Sequence, residues 1–290
     1  MTANQTMGRD DRYWCCGKHR LSLQQPLVMG ILNITPDSFS DGGQLWSAGR
    51  LQRDNLLRLA EQMHADGAAI FDIGGESTRP GASEISVEQE SERILPALEA
   101  LHGAFDLPIS VDTSSPRLMT AAGAAGAAII NDVRGLRREG AMEAVARTDM
   151  GVCIMHMQGE PSDMQQQPSY DEVGQQVGDY LATQAKHCET LGIAPERIAI
   201  DPGFGFGKTL QHNLALFRYL PILVERPWPV LIGISRKSMI GAILGKEVEN
   251  RLAGALAMTS LASYWGVRVF RTHDVAETCD ALRMIDNICN

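Results

Sequence analysis

Polar residues end eight short apolar runs of this chain, and their types could bind and activate a small molecule. The runs read LVMGILN, AAIFD, PISVD, AAIIN, VCIMH, RIAID, VLIGISRK and VRVFRTH. Such uninterrupted runs are typical of strands buried on both faces of a parallel sheet. The carboxyl end of each strand is where a parallel barrel or sheet opens to ligand. We therefore predict a ring of functional groups around one opening: Asn33, Asp72, Asp112, Asn131, His156, Asp201, Lys237 and His273.

One group in this ring suits a flat heterocycle. A carboxylate pairs with two neighbouring N–H donors, as Asp112 and Asp201 could do with a ring N–H and an exocyclic amine. Asn131 can donate and accept, so it could bind the remaining edge, with Met155 and Phe206 on the ring faces. The alternative for each aspartate is a helix N-cap directly after the strand.

A second group is basic and suits phosphate. Arg271 and His273 alternate along the last strand, so their side chains point to the same side. Arginine suits phosphate, and barrels often bind phosphate beside strands seven and eight. Asn33, on the neighbouring first strand, could offer an amide oxygen to a Mg²⁺ ion that also holds the phosphates. The alternative is a structural salt bridge from this group to Asp274 or Asp41.

A glycine-rich segment, GFGFGKT at residues 203–209, is similar to a phosphate-binding loop but does not match one. The phosphate-loop pattern requires glycine where Pro202 stands. We interpret the segment as a flexible turn that lets backbone approach the ligand, with Phe206 beside it. For His156 a buried structural role is preferred to a catalytic one.

Helical patterns separate the runs, as parallel strands require. We predict helices over 50–66, 86–103, 115–125, 139–148, 170–192, 210–219, 250–265 and 274–287. Ser86 with Gln89 and Asp274 with Glu277 resemble N-terminal caps, and Gly192 a C-terminal one. The fold class is therefore α/β, a (β/α)8 TIM barrel over residues 26–290. An open doubly wound sheet is the alternative. Residues 1–25 are predicted to be an N-terminal extension that forms a hairpin or cap at the amino end of the barrel.

Two long loops follow the first two strands, over residues 35–43 and 74–81. Both are rich in Gly, Ser and Pro, which favours turns over regular structure. We interpret them as mobile lids that carry reactive side chains over the opening.

Composition excludes several classes of partner. The chain has 290 residues and a formal net charge of −9, which disfavours binding to nucleic acid or an anionic membrane by bulk field. No apolar stretch approaches the roughly 20 residues of a membrane span. The six cysteines lack metal-binding spacing and read as reduced thiols, so a cytoplasmic location is expected.

The combined motifs resemble those of bacterial dihydropteroate synthases, a family of pterin-binding TIM barrels. Residues 29–43 resemble the family's first signature and residues 72–81 its second. Matching segments follow in the same order at 111–113, 131–132, 155–157, 201–207, 235–238 and 271–273, and the resemblance covers roughly residues 26–285. It implies a homodimeric transferase of folate biosynthesis and a sulfonamide target. Such enzymes join 6-hydroxymethyl-7,8-dihydropterin pyrophosphate to 4-aminobenzoate, giving 7,8-dihydropteroate and pyrophosphate by SN1-like chemistry through a pterin cation.

The resemblance also implies residue roles. Pterin contacts would come from Asp112, Asn131, Met155, Asp201, Phe206, Gly233, Lys237 and Arg271. Pyrophosphate would lie against Asn33, Arg271 and His273, with Mg²⁺ at Asn33. Aminobenzoate would contact Phe39, Thr78, Pro80, Phe206, Lys237 and Ser238. The catalytic set would be Asp41, Arg79, Lys237, Arg271 and His273.

Two alternatives to a synthase remain. A related pterin-binding barrel passes a methyl group from a methyl-folate to a corrinoid; the run Ser235–Ser238 and both complete loop motifs favour the synthase. A paralogue that binds pterin without turnover is the non-enzymatic alternative. The intact Asn33, Asp41, Arg79, Lys237 and Arg271 favour an active enzyme.

Overall fold

Eight parallel strands and the helices between them make up most of the computed structural model, which describes residues 12–36, 45–47, 49–77 and 85–289. The strands are β1 (Tyr13–Cys16), β2 (His19–Ser22), β3 (Leu27–Asn33), β4 (Trp46–Ser47), β5 (Arg50–Leu51), β6 (Ile70–Gly74), β7 (Ile109–Asp112), β8 (Ile129–Asp132), β9 (Gly151–Met155), β10 (Ile198–Asp201), β11 (Leu231–Ile232) and β12 (Val269–Thr272). The helices are α1 (Arg53–Ala65), α2 (Val87–Ala104), α3 (Pro116–Ala124), α4 (Ala141–Ala146), α5 (Val173–Thr190), α6 (Leu210–Leu223), α7 (Ser238–Leu244), α8 (Leu252–Tyr264) and α9 (Val275–Cys289).

The central sheet closes on itself. Its strands lie in the order β10-β9-β8-β7-β6-β3-β12-β11, and every neighbouring pair is parallel. A parallel bridge between Ile200 and Val230 joins the two outermost strands. The predicted (β/α)8 barrel is confirmed, and the open doubly wound alternative is wrong.

The helices lie where the patterns predicted them, with one addition. The predicted Ser86 capping box is present: the Gln89 N–H donates to the Ser86 hydroxyl (3.2 Å), and the Ser86 N–H donates to the Gln89 side chain (3.1 Å). Gly192 follows α5 with φ of 91°, as expected of a residue that ends a helix. Helix α7 was not predicted from the sequence.

Two predicted strand ends are wrong. Asp72 lies inside β6, which continues to Gly74. Lys237 lies beyond β11, which already ends at Ile232, and it directly precedes α7. In the first case the apolar run resumes after the aspartate. In the second case, the largely apolar run VLIGISRK contains both the end of the strand and the turn that follows it.

The amino end of the barrel is filled by apolar side chains. Met29, Ile70, Ile129, Cys153, Ala199, Leu231 and Val269 form one buried cluster from seven strands. The antiparallel hairpin β1–β2 adds the fully buried Trp14 to this cluster. The indole N–H of Trp14 donates to the backbone carbonyl of Arg197 (3.0 Å). The predicted hairpin at the amino end is therefore confirmed; the proposed boundary between residues 25 and 26 stays a prediction.

Polar residues replace the apolar ones two positions further along four of these strands. Successive strand residues point to opposite faces, so a residue two places after an inward-facing one also faces inward. Ile70, Ile129, Ala199 and Val269 therefore predict the inward direction of Asp72, Asn131, Asp201 and Arg271, which we call the polar layer. Alternate strands of a barrel contribute the side chains of one such layer.

None of the helices within the described residues is both long and apolar enough to cross a bilayer.

Candidate active site

A cavity of about 790 Å³ lies at the carboxyl ends of the barrel strands. That volume lies in the range of small-molecule sites. Of the predicted ring, Asp72 and His156 are not among the residues that line the cavity. The cavity does bring together every described residue with a predicted binding or catalytic role: Asn33, Asp112, Asn131, Met155, Asp201, Phe206, Gly233, Lys237, Ser238, Arg271 and His273.

The remaining predicted site residues belong to the two long loops. Phe39, Asp41, Thr78, Arg79 and Pro80 lie outside the described residues. Their roles stay predictions, as does the interpretation of these loops as lids.

Two carboxylates share the guanidinium of Arg271. The Nε atom of Arg271 lies 2.6 Å from Oδ2 of Asp72, and its Nη2 atom lies 3.2 Å from Oδ2 of Asp112. For Arg271 the alternative salt bridge to Asp274 is wrong, because the carboxylate of Asp274 binds Arg236 instead (2.7 Å). Asp41, the other alternative partner, lies outside the described residues. Asp72 belonged to the predicted ring of strand-end groups but was given no binding or catalytic role, although it is completely buried directly beside this arginine.

Because Arg271 is shared with Asp72, its positive charge offsets only part of the cost of ionising the buried carboxyl group of Asp112. Burial raises the pKa of Asp112 to about 8; Arg271 opposes this rise, and the charge of Asp72 adds to it. Asp112 is not a helix N-cap, since Ser115 caps α3 by accepting the N–H of Leu118 (3.3 Å). That alternative is wrong, and the carboxyl group of Asp112 lines the cavity.

Asp201 is a buried carboxylate with a fixed orientation. It is 6% exposed, and its Oδ1 atom accepts the N–H of Gly203 (2.7 Å). Burial raises its pKa to about 6, opposed by that hydrogen bond and by the charges of Lys237 and Lys208. The N-cap alternative is wrong here also, because Thr209 caps the following helix, α6.

Asn131 and Met155 complete the inner wall near the carboxylates. Asn131 is the strand partner of Asp112, so the two residues lie side by side at the end of the barrel. Met155 is the strand partner of Asp201 and is 4% exposed. Gly233 has no side chain beside Arg271, and the absence of one leaves the cavity open above the arginine.

Lys237 enters the cavity from a strained turn. The N–H of Lys237 donates to the carbonyl of Ile234 (3.1 Å), and Arg236 within this turn has φ of 60°. That left-handed conformation is uncommon for a residue with a long side chain. The carboxylate of Asp274 binds the guanidinium of Arg236 (2.7 Å), and Arg251 donates a hydrogen bond to the backbone carbonyl of Arg236 (3.0 Å).

The ammonium of Lys237 faces both an aromatic ring and a carboxylate. Its Nζ atom lies 4.1 Å from the centroid of the Phe206 ring, within the range of a cation–π contact. Burial lowers the pKa of Lys237 to about 8; the charge of Asp201 opposes this effect, and the charge of Arg271 adds to it. The group therefore still carries most of its positive charge near neutral pH.

His273 is oriented by a neighbouring hydroxyl. Its Nδ1 atom lies 3.0 Å from the Ser235 hydroxyl, which also lies 3.3 Å from a carboxylate oxygen of Asp274. His273 and Arg271 both line the cavity, as their alternation on the last strand predicted.

His156 lies outside this cavity lining. It is 7% exposed, and its ring meets the ring of Tyr180 edge-on with centroids 5.0 Å apart. Burial and the nearby charge of Lys208 lower its pKa to about 3. The preferred structural interpretation of this histidine is confirmed.

A second buried ion cluster joins the neighbouring loops and was missed in the sequence. Arg134 is 2% exposed and binds Glu76 (3.1 Å) and Glu160 (2.8 Å), while Ser114 binds Asp132 beside it. Glu76 also lines the cavity. Arg134, three residues after the AAIIN run, was the available signal, but its partners Glu76 and Glu160 lie in two distant loops.

The described residues fit a metal ion only in part. Among them there is no group of three or more His, Cys, Asp or Glu side chains placed to hold one. Asn33 lines the cavity and could offer one amide oxygen. Mg²⁺ is commonly held by one or two protein ligands, substrate phosphates and waters, so a magnesium ion that arrives with a diphosphate fits this donor set.

Fold and site together define a class of protein: a barrel enzyme with acidic groups deep in its cavity and basic groups beside them. The family model of pterin-binding enzymes matches residues 29–273. Among curated relatives, the dihydropteroate synthase of Escherichia coli (strain K12) is 48% identical over 266 residues, covering 92% of this chain and 93% of that protein. The dihydropteroate synthase of Neisseria meningitidis serogroup C is 47% identical over 274 residues, covering 93% and 95%.

Solved structures agree with these relatives. Yersinia pestis dihydropteroate synthase with a sulfonamide drug complex superposes with a TM-score of 0.90 at 43% identity, covering 95% of this chain and 98% of that one. The Burkholderia cenocepacia enzyme complexed with 7,8-dihydropteroate superposes with a TM-score of 0.86 at 44% identity, covering 96% of each chain. The Xanthomonas albilineans enzyme with 4-aminobenzoic acid superposes with a TM-score of 0.88 at 44% identity, covering 96% of this chain and 98% of that one. The chain therefore belongs to the pterin-binding enzyme family and, within it, to the dihydropteroate synthases.

Proposed function

We propose that this chain joins 6-hydroxymethyl-7,8-dihydropterin pyrophosphate to 4-aminobenzoate, giving 7,8-dihydropteroate and pyrophosphate. The observation that carries the proposal is the presence of Asp201 and Arg271 in one cavity, as members of the same polar layer. Asp201 suits the donor edge of the pterin, and Arg271 suits its diphosphate.

The pterin ring would occupy the inner part of the cavity. The carboxylates of Asp112 and Asp201 would accept its N–H groups, and Asn131 would bind the remaining polar edge. Met155, Phe206, Gly233, Lys237 and Arg271 would surround the ring. Both carboxylates have raised pKa values in the ligand-free protein, and ligand N–H donors would favour their ionised forms.

The diphosphate would lie against Asn33, Arg271 and His273. A Mg²⁺ ion bound at Asn33 and at the phosphate oxygens would stabilise negative charge on the leaving group. Arg271 is held by Asp72 through Nε, so its remaining donors keep one orientation toward the leaving group. Each electrostatic contact that strengthens in the transition state is worth about 3–4 kcal/mol.

The chemistry begins with cleavage of the C–O bond between the pterin methylene and the diphosphate, whose oxygen takes the electron pair. Asp112 and Asp201 would stabilise the cation that remains on the pterin. The amine nitrogen of 4-aminobenzoate then forms the C–N bond and loses one proton. Exclusion of water from the cavity would keep the cation from being hydrolysed.

4-Aminobenzoate would bind nearer the opening, against Phe206, Lys237 and Ser238. Phe39, Thr78 and Pro80 of the two loops would complete this part of the site, and Asp41 and Arg79 would act from the same loops. Sulfonamide drugs, one of which is part of the Yersinia pestis neighbour, would bind this chain in the same place.

A homodimer is proposed on separate grounds. Helix α8 exposes large apolar side chains at Leu261 (41%) and Tyr264 (63%), and helix α9 exposes Met284 (61%) and Ile288 (70%). These helices pack against each other, so the exposed apolar side chains lie on neighbouring helices. Contiguous apolar surface on a protein of this kind marks an interface. Light scattering should give twice the chain mass for the native protein and one chain mass for Tyr264→Glu.

The direct test is a turnover assay on the purified protein with both substrates and Mg²⁺. We expect dihydropteroate and pyrophosphate in equal amounts and no product from Arg271→Ala. Methyl transfer to a corrinoid without pyrophosphate release would favour the related methyltransferase. Tight pterin binding without turnover would favour the inactive paralogue. A cytoplasmic location also stays a prediction.

A further inference from the structure

The segment from Gly203 to Gly207 carries Phe206 and is anchored in the core by Phe204, which is 1% exposed and packs against Phe217 with ring centroids 5.9 Å apart. Gly203 and Gly207 have φ of 68° and 59°, where glycine is favoured. A Cβ atom added at Gly203 would lie 2.0 Å from the carbonyl oxygen of His156, and one at Gly207 would lie 2.4 Å from that of Gln158. Hydrogen bonds hold the backbone of this segment on either side of the buried Phe204 ring.

Lys208 supplies several of these hydrogen bonds from inside the protein. It is 3% exposed, and its Nζ atom lies 2.9 Å from the carbonyl oxygens of both Gly203 and Phe206. It also lies 3.0 Å from Nδ1 of His156. An ammonium group has three N–H donors, and these three acceptors, with the His156 carbonyl oxygen at 3.4 Å as a fourth, use them all. A phosphate-binding role, which the sequence pattern imitates, is therefore not open to this lysine.

The geometry also explains the state of His156. Burial lowers the pKa of Lys208 to about 7, and in its protonated form the ammonium can only donate, so Nδ1 of His156 then accepts and the histidine proton is on Nε2. This matches the lowered pKa of His156. Lysine and histidine thus form one buried unit beneath the segment.

Other contacts hold the same segment at single points. Asn213 accepts the N–H of Gly205 (2.7 Å), and the Tyr170 hydroxyl donates to the carbonyl of Gly207 (2.8 Å). Lys208 differs because it binds the first and last carbonyls of the turn Gly203–Phe206, which is closed by the Phe206 N–H on Gly203 (3.1 Å). Removing it would free the part of the turn that orients the Phe206 ring.

We propose that Lys208 is a positioning residue for the second substrate: it fixes the turn Gly203–Phe206 so that the Phe206 ring stands against the aryl ring of 4-aminobenzoate and beside Lys237. The inference rests on the proposed placement of 4-aminobenzoate against Phe206. Lys208 itself contacts neither substrate. Its effect is therefore expected mainly in the binding of 4-aminobenzoate and much less in that of the pterin, which Asp112 and Asn131 also hold.

The test is the variant Lys208→Met, which keeps the length of the side chain and removes its donors. We expect the KM for 4-aminobenzoate to rise about tenfold or more. This fold-change should be at least five times the fold-change in the Kd of a pterin that lacks the diphosphate. Equal changes in both constants, or no change in either, would overturn the proposal.

A matched control separates this role from a general loss of stability. Arg197 also binds backbone carbonyls, those of Met150 (2.6 Å) and Val145 (3.2 Å), but near the amino end of the barrel. Arg197→Met should lower Tm without raising the KM for 4-aminobenzoate. If it raises that KM as much as Lys208→Met does, Lys208 has only a structural role.

Phe206→Ala distinguishes failure of this inference from failure of the proposed substrate placement. An unchanged KM for 4-aminobenzoate in Phe206→Ala would refute the placement. A raised KM in Phe206→Ala with an unchanged KM in Lys208→Met would refute only the role of Lys208. If Lys208→Met does not fold, Lys208→Gln, which keeps a polar amide on a shorter side chain, replaces it with the same expected split between the two substrates.

Discussion

Arg271 and Asp72 form an ion pair across one intervening strand, with Nε and Oδ2 2.6 Å apart. Asp72 belongs to β6 and Arg271 to β12, and β3 lies between them in the sheet. The other oxygen of Asp72, Oδ1, is buried and has no hydrogen-bond partner among the described residues. The main role of this carboxylate is therefore to hold Arg271, which costs the free energy of burying a charge.

Replacing Asp72 by Asn should remove the charge that orients Arg271. We expect kcat to fall roughly 100-fold, because a small displacement of a positioning group has an effect of that size. Pterin affinity should change much less. Asp106→Asn is the control, since it also removes one charge from an ion pair but on the exposed surface. Full activity of Asp72→Asn would refute this role.

Asp201→Asn should weaken pterin binding while leaving the fold intact. The asparagine oxygen can still accept the N–H of Gly203, but the charge that pairs with two ligand donors is lost. A hydrogen bond to a charged group contributes about 1.5–3 kcal/mol, so Kd should rise roughly 10- to 100-fold. Calorimetric titration measures this, with the exposed Asp171→Asn as control. An unchanged Kd would exclude the assigned role.

The affinity for a pterin without its diphosphate should fall as pH falls through about 6. The pKa of Asp201 is raised to about 6, so the carboxylate takes up a proton there and loses its attraction for ligand donors. The ligand-free protein should show the opposite sign. Because the folded pKa exceeds the ordinary value of 3.8, the free energy of unfolding decreases as pH rises from about 4 to about 6.

Ligand titrations between about pH 5 and 8, paired with thermal melts between about pH 4 and 7, check both signs. Asp201→Asn provides the control, since the part of each pH dependence that belongs to Asp201 should disappear in it. A dependence that is identical in the two proteins would assign the effect to another group.

Asp274→Ala should disturb Lys237 at a distance. Asp274 holds Arg236 in its left-handed conformation, and such a strained residue costs about 1–3 kcal/mol unless its surroundings support it. We expect a lower kcat/KM and a lower Tm. Arg236→Gly in the same background should restore part of the activity, because glycine adopts this conformation without strain. Asp280→Ala, from a loose exposed pair, is the control. A lowered Tm with unchanged kcat/KM would show that Asp274 contributes to stability and not to the position of Lys237.

Removal of Mg²⁺ by a chelator should abolish turnover, and added Mg²⁺ should restore it. Binding of a pterin without the diphosphate should not change, because its proposed contacts are protein side chains. Undiminished turnover after chelation would contradict the metal proposal.

Much of the site could be predicted because a strand buried in a barrel leaves its functional residues near its end. Asn33, Asp112 and Asp201 each terminate an apolar run and a strand. Alternation along the last strand likewise placed Arg271 and His273 on one side.

Contacts between distant parts of the chain could not be predicted in the same way. Asp72 interrupts an apolar run, and the sequence alone does not show that it lies inside a strand beside an arginine 199 positions later. Lys208 resembles a phosphate ligand until the acceptors around its ammonium are known. Local spacing indicates the type of element, whereas the partners of buried charges depend on tertiary packing.

The Trp14 indole, packed into the amino end of the barrel, determines how molecules reach the reacting carbon. In the part of the chain that the structure describes, that end is filled, so both reactants would enter, and both products would leave, through the opening at the other end. The aromatic amine would then approach over a pterin already in place. Binding in a compulsory order would thus follow from the hairpin that plugs the far end of the molecule.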